Sequence, residues 1–571
     1  MYLDMIGRIR AGRTNRMCDG IAKTFRAAFV RIGMRPHAAE GTENLFIEGL
    51  ITRPDTMHWA DVIAEEIASR CDRPLIATGI SPTGHIHVGS LREAITAEAV
   101  RSALERRGSD VKLIYLIDSF DPLRRKYEFL PESFEEHVKK PICRIPCPCG
   151  RHRTYADHFI QPFLEAMKAI DVKCEIIWTH ELYEQGKFAE MTDAALMKRD
   201  KVINILTEVS QKEKNDDYAP YNPLCPECGK FVKQPDLDSY AYPYVPYKCE
   251  NCGHEGKADI RKGDGKLTWR LEWPAKWKIF STSVEPFGKD HAAAGGSYDT
   301  GKRIVKEIFD GEAPYPIPYE FVQLKGKGQM HKSTGSSVTG TDAISMTPPE
   351  VLMYTFLRVN PERHIDYDSG IGILDMADEY DRMESLYFEG GATEAEENAV
   401  SAYGLSKHKI PEKMPLHIPY RHLVNVVQMT DDMDGVLRIL KRNGDIDNAT
   451  KEDLARLDQR VRCVRFWLNG FAPDMVKFSV SKKMPDVKLS DDEKAYLRSL
   501  AAPLSASEWN AESIHNIVSE TGKNSKIGTK GGFQALYKIL INRTAGPRLG
   551  HFLATMEKDF VVRRIKEACA R

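Results

Sequence analysis

Residues 74–90 read PLIATGISPTGHIHVGS. The run 74–78 is short and apolar, as a buried parallel strand requires, and it empties into a turn of Gly, Pro and His. The following stretch 91–107, LREAITAEAVRSALERR, sets Leu91, Ile95, Ala99 and Leu104 on one helical face. A second apolar run, VKLIYLI, occupies 111–117. Strand, Gly-rich turn, helix and strand in succession predict an α/β fold built on a parallel Rossmann-type sheet. Gly79, Gly84 and Gly89 permit close backbone approach, with Ser81, Pro82 and Ser90 completing the turn, and the helix N-terminus offers free N–H groups to a phosphate. His85 and His87 can donate hydrogen bonds to a phosphoryl group gaining charge. Taken alone, the stretch reads equally as a tight turn carrying surface histidines.

With 571 residues, 42% of them apolar and 29% charged, the chain can bury more than one core. The formal charge is −1, so any polyanion-binding surface must be a local basic patch balanced by acidic surface elsewhere. No apolar run approaches membrane-spanning length. Eight of the twelve cysteines fall between 143 and 252, which points to metal binding rather than a disulfide framework. Cys225-x2-Cys228 and Cys249-x2-Cys252 both carry the knuckle form, CPECG and CENCG. Four thiolates at that spacing predict a closed structural Zn²⁺ site. Cys143, Cys147 and Cys149, with His152 nearby, make a less regular cluster; ordinary thiols or a second zinc are both open there.

Beyond Thr347 the pattern turns helical. Thr347-Pro348-Pro349-Glu350 is a helix start, Ser490-Asp491-Asp492-Glu493 a capping box, and no strand-rich segment follows, so 346–571 is expected to be an all-α domain. Residues 523–571 hold 11 Lys/Arg against 3 Asp/Glu, a solvated face or a phosphate-binding one. Residues 1–56 are expected to be an extension outside the fold, read as a start site placed too early or a leader. The body, 57–345, is expected to be interrupted at 141–265 by an insertion carrying the zinc ribbon.

A second short string lies about 240 residues beyond the first: Gln329-Met330-His331-Lys332-Ser333. With His87-Val88-Gly89-Ser90 it resembles the paired nucleotide-binding signatures of class I aminoacyl-tRNA synthetases, His-Ile-Gly-His and Lys-Met-Ser-Lys-Ser. Longer strings are similar to the class I lysyl-tRNA synthetase family: DSFDPLRRKYEFLP at 118–131, TYADHF at 154–159, TWRLEWPAKW at 268–277, EPFGKDHAAAGGSYDT at 285–300 and the PYEFVQLKGKG lead into the second signature. The resemblance spans essentially 57–571.

That resemblance implies ATP-dependent activation of L-lysine as the adenylate and its transfer to tRNA(Lys). It assigns ATP to Pro82, Gly84, His87, Gly89, Ser90, Met330, Lys332 and Ser333, with Mg²⁺ on the phosphates and with His85, His87 and Lys332 in catalysis. It assigns lysine to Gly79, Ser81, Trp269 and His291. An ammonium on a four-carbon stem suits an aromatic wall; Asp290, Glu320 and Asp118 are open as its acceptors. Trp269, Trp273 and Trp277 recur every four residues, although Pro274 argues against a continuous helix, and Trp269 is favoured over the other two for the pocket. The helical C-terminal domain would hold the anticodon end of tRNA, in a cytoplasmic monomer. Gln329 replaces a usual lysine, so a non-catalytic tRNA-binding paralogue is an alternative; a class I enzyme for another amino acid is a further one.

Overall fold

The computed structural model describes residues 57–211, 216–326, 328–329, 338–407 and 409–570. The expectations for 1–56 and for Met330, Lys332 and Ser333 lie outside the described residues.

Five strands, β1 (Leu75–Ile80), β2 (Lys112–Ile117), β3 (Glu175–Trp178), β4 (Val284–Gly288) and β5 (Tyr315–Tyr319), form one sheet in the order β3-β2-β1-β4-β5. Every pairing is parallel. Five successive residues of β2 and all five of β4 are buried, because helices cover both faces of these inner strands. The chain steps outward from β1 in both directions, which puts a topological switch point at the C-terminal end of β1.

Helix α1 (Trp59–Ala68) opens the described chain. His58 Nδ1 accepts from the Ala60 N–H at 3.2 Å, leaving Nε2 to donate to Leu357 O at 2.8 Å, and the Trp59 indole donates to the same carbonyl at 2.8 Å. Helix α2 (Leu91–Arg106) buries the expected face, Leu91, Ile95, Ala99 and Leu104. It also buries Arg92, Glu98 and Arg101, since helices pack on its outer side too. Arg101 pairs with Glu98 at 2.7 Å, and Arg92 donates to Asn360 O at 2.9 Å.

The stretch 141–265 does not lie wholly outside the sheet, as the sequence suggested. It supplies helix α3 (Tyr155–Ala169) and then β3, and the excursion begins only after Trp178. EIIW was too short and too half-buried to read as a strand. Within the excursion, Tyr244–Lys248 and Glu255–Asp259 pair antiparallel as a ribbon, and Tyr221–Pro223 pairs with Gly265–Leu267.

From Pro349 the described chain is helical apart from Ile365–Tyr367, which pairs with Val322–Leu324. The division expected near 346 does not coincide with a break in packing. One apolar core runs from Trp59 over one face of the sheet into Tyr354, Tyr380, Leu423 and Trp467, while Ala77, Ile114 and Leu116 on the other face belong to a separate one. A further core gathers Tyr496, Leu500, Ile514, Leu536, Phe552 and Val561, with Met429 and Phe478 packed against it. No described helix is long and apolar enough to cross a membrane.

Helices Gly372–Glu389 and Lys451–Gly470 are riveted by buried charge. Arg460 bonds Asp381 at 2.9 Å, and Arg456 meets Glu384 at 2.7 Å. Glu384 also takes His417 at 2.6 Å, Tyr403 at 2.8 Å and Lys407 at 3.1 Å, which holds its carboxyl far below the usual carboxylate range although burial opposes this. Asp381→Ala leaves the Arg460 guanidinium buried without its main carboxylate and should lower stability by about 3–5 kcal/mol, whereas pairing Asp381→Leu with Arg460→Met should recover most of the loss. Thermal denaturation of the single and double variants checks this.

Candidate active site

Gly79 sits where β1 presses on β2: a Cβ there would lie 2.3 Å from Leu116 O, so no other residue fits. Its N–H donates to Glu93 Oε1 at 3.1 Å. The Thr78 hydroxyl donates to the same oxygen, and the Tyr319 hydroxyl donates to Glu93 Oε2 at 2.6 Å. One carboxylate on α2 thereby ties β1 to β5. Ser81 follows, its side chain near the Asp121 carboxylate. Pro82, Ile86 and Val88 are buried anchors, and Gly84 leaves room for the Phe129 ring, 3.1 Å from the place of a Cβ.

His85 turns outward against the edges of Phe129 and Phe159, each 5.1 Å between centroids, and partial burial lowers its pKa. His87 forms an antiparallel bridge with Thr339, supported by Val88 N–H to Val338 O at 2.8 Å. The first signature is therefore joined by backbone to Val338 and Thr339, five and six residues beyond the end of the second. Gly89 and Ser90 lie in a short 3₁₀ turn, Val88–Ser90, that feeds α2. On the approach to the second signature, Val322–Leu324 pairs with Gly328–Gln329. Lys325, close to that signature in sequence, reaches Asp368 at 3.3 Å.

Helix α4 (Trp269–Phe280) runs unbroken through Pro274. The proline costs a bond to the Arg270 carbonyl, and burial of Leu271, Ala275 and Trp277 holds the helix regardless. Three tryptophans consequently share a face. Trp269 stacks on Trp273 at 5.7 Å and 17°, His291 stands 5.4 Å from each, and Phe287 meets Trp273 edge-on at 5.4 Å. Trp273 thus joins Trp269 and His291, while Trp277 is buried. The register Ile76↔Val284, carried forward along β1 and β4, places this aromatic box beside Gly79.

Of the acceptors left open, Asp118 is engaged by Lys276, Glu320 by Lys289 at 2.7 Å, and Asp290 stands 3.8 Å from His291. Glu285, on β4, receives the indole N–H of Trp273 at 2.8 Å and that of Trp277. A buried chain of charges continues through Asp121, Lys266 (2.5 Å) and Glu272 (2.9 Å). Sequence reading missed Glu93, Tyr319 and Glu285. Only the alternation of charge in WRLEWPAKW hinted at polar groups facing inward.

The two CxxC knuckles converge. Cys225 and Cys252 sulfurs are 3.6 Å apart, Cys228 and Cys249 likewise, and all four lie within 4.8 Å of one another. Gly229 and Gly253 adopt φ of +68° and +79°, turning their N–H groups onto Cys225 O and Cys249 O. Cys147, Cys149 and His152 also gather, without Cys143 but with His158 from α3, which the sequence reading did not include. Their Sγ and Nδ1 atoms are separated by 3.2–3.7 Å, edge lengths that suit tetrahedral ligands around one thiophilic ion. Asp381, Glu384 and His417 also cluster, but Arg456, Arg460 and Lys407 already supply the positive charge there.

A five-stranded parallel sheet with a His/Gly turn at its switch point, bridged to Val338 and Thr339 beyond the Met-x-Lys-Ser string, has the organisation of a class I synthetase nucleotide-binding domain. Residues 57–409 match the family model of tRNA synthetases class I (K), and 452–569 match an anticodon binding domain. The chain belongs to the class I (K) tRNA synthetases. It is 41% identical over 514 residues to a lysine–tRNA ligase of Archaeoglobus fulgidus, covering 90% of this chain and 100% of the relative. A lysine–tRNA ligase of Thermoplasma acidophilum is 40% identical over 511 residues, 90% of this chain and 98% of the relative. A third, from Methanosarcina barkeri, is 41% identical over 538 residues with the same coverage.

Burial pushes the Glu285 carboxyl from 4.5 up to about 8, partly offset by the two indole donors. The folded chain then keeps a proton that the unfolded chain has released, so the stability from this group is full below pH 4.5 and is lost as pH rises to about 8. Chemical denaturation should show wild type losing stability relative to Glu285→Gln over that window. Parallel pH profiles would mean Glu285 is ionised throughout.

Proposed function

We propose that the chain activates L-lysine with ATP and transfers it to the 3′ end of tRNA(Lys). The observation that carries this reading is the aromatic box of Trp269, Trp273 and His291 beside Gly79, in a member of the class I (K) family whose relatives bear the name lysine–tRNA ligase. A lysine stem lies against the indoles by cation–π and dispersion contact. Gly79 and Ser81 hold the other edge of the amino acid.

In the first step a lysine carboxylate oxygen attacks the α-phosphorus and the bond to pyrophosphate breaks. Pro82, Gly84, His87, Gly89 and Ser90 position the nucleotide against the N-terminus of α2, and His85 and His87 stabilise the α-phosphoryl oxygens. Met330, Lys332 and Ser333 act on the leaving group, with Lys332 as the cation in a signature whose first position is Gln329. Mg²⁺ accompanies the ATP phosphates and screens their charge. In the second step a hydroxyl of the terminal adenosine attacks the lysyl carbonyl and AMP leaves. No covalent enzyme intermediate is needed, since positioning and electrostatics suffice.

Cys225, Cys228, Cys249 and Cys252 would hold a structural Zn²⁺ that closes the ribbon. The donor set Cys147, Cys149, His152 and His158 fits a second. The exposed Lys523, Lys526, Lys530, Arg543 and Arg548 are the basic groups that would meet the anticodon end of tRNA. A cytoplasmic monomer is part of the same reading. Gln329 favours one competitor, a paralogue that binds tRNA without catalysis.

Pyrophosphate exchange across the amino acids decides between them, because lysine alone should support exchange and a paralogue would support none. Lys332→Ala should lower the exchange kcat by roughly 10²-fold or more with the lysine KM little changed. Metal analysis should return two zinc equivalents per chain, one lost in Cys249→Ser and the other in Cys147→Ser. A well-folded, metal-free wild type would remove both zinc assignments.

A further inference from the structure

We propose that Arg124, Arg125 and Tyr127 form a landing platform for the unpaired nucleotides at the 3′ end of the tRNA; this rests on the lysine–tRNA reading above. The segment 118–131 leaves β2 at the same edge of the sheet as the signature turn leaves β1. Its planar groups form a ladder from that turn to solvent. Phe129 packs its edge on His85 at 5.1 Å and fills the space beside Gly84. Tyr127 stacks on Phe129 at 5.3 Å with only 3° between planes, and the Arg125 guanidinium lies 5.4 Å from the Tyr127 centroid.

Core packing accounts for Phe129, which joins Leu123, Leu130 and Phe134. It also holds Tyr127, a half-buried ring, and leaves Arg124 and Arg125 outside. Arg124 and Arg125 are exposed, and among the described residues neither reaches a carboxylate. Lys126 is engaged by Glu132, so the two arginines carry the available positive charge in a stretch, RRKYE, with one carboxylate of its own, Glu128.

A half-buried ring with an exposed guanidinium over it, beside a second exposed guanidinium and next to a reacting centre, is what single-stranded nucleic acid uses. Bases stack on the planes at about 1–3 kcal/mol each, and phosphates take the charge without sequence preference. A paired stem offers no free base face, so the platform suits the unpaired end that must reach the adenylate. The polyphosphate of ATP is the competing occupant, since it would use the charge but not the ring.

The test compares two assays on the Arg124→Ala/Arg125→Ala double variant and on Tyr127→Ala, each as the full chain. Lysine-dependent pyrophosphate exchange should stay within about 2-fold of wild type, while kcat/KM for tRNA charging should fall by about 10-fold or more in each variant. Tyr127→Phe should restore charging, and the double variant should show a shallower salt dependence. Unchanged charging overturns the proposal. So does an equal loss in both assays with a raised KM for ATP, which would give the arginines to the nucleotide. Absence of lysine-dependent exchange in the wild type would instead sink the underlying functional reading.

Discussion

The carboxylate of Glu93 is the interaction on which the site depends. It gathers the Thr78 hydroxyl, the Gly79 amide and the Tyr319 hydroxyl, fixing the end of the central strand against α2 and against β5 at the far edge. The approach of Gly79 to Leu116 O is tolerable only with no side chain there, so the turn leaves β1 at one angle. Everything downstream inherits that angle. It sets the bridge of His87 to Thr339, the outward wedge of His85 between two phenyl rings, and the register that brings Phe287 and the indoles alongside.

The two cysteine-containing clusters serve a different physical need. Between Tyr221 and Leu267 the chain makes short ribbons with little apolar interior, a small core built on Tyr221, Val245 and Tyr247. A segment with so little to bury needs a cross-link to hold one shape. The knuckles meet at the turn that joins the two strands Tyr244–Lys248 and Glu255–Asp259. The Cys147–His158 group stands elsewhere, pinning the loop before α3 to the helix that walls His85 through Phe159. With metal bound, the first cluster would shape the excursion and the second would steady the signature turn.

How much of this was legible follows from what sequence patterns encode. The strand-turn-helix-strand unit and the CxxC pairs were readable because periodicity and spacing are local. His158 was not, because it sits on α3 among Tyr155, Phe159 and Phe163, whose apolar stripe dominates the pattern. Trp273 was set aside because Pro274 looked like a break, whereas tertiary burial outweighed one lost hydrogen bond. Nothing local in DEYDRMESL marks Asp381 and Glu384 as interior. Only Arg456 and Arg460, some eighty residues on, make them interior. Long-range compensation of charge leaves no short-range signature.

The way the terminal bundle is attached carries a consequence for how the molecule loses its structure. The bundle from Tyr496 to Ala568 has an interior of its own, yet Met429 and Phe478 pack against it, and Arg442 bonds Ala554 O at 3.1 Å and pairs with Glu557. Residues 56–571 form one compact unit, so opening of the bundle also strips contacts from the helices before it. Selection on the bundle is constrained along that seam: a substitution at Met429 or Arg442 is felt on both sides of it.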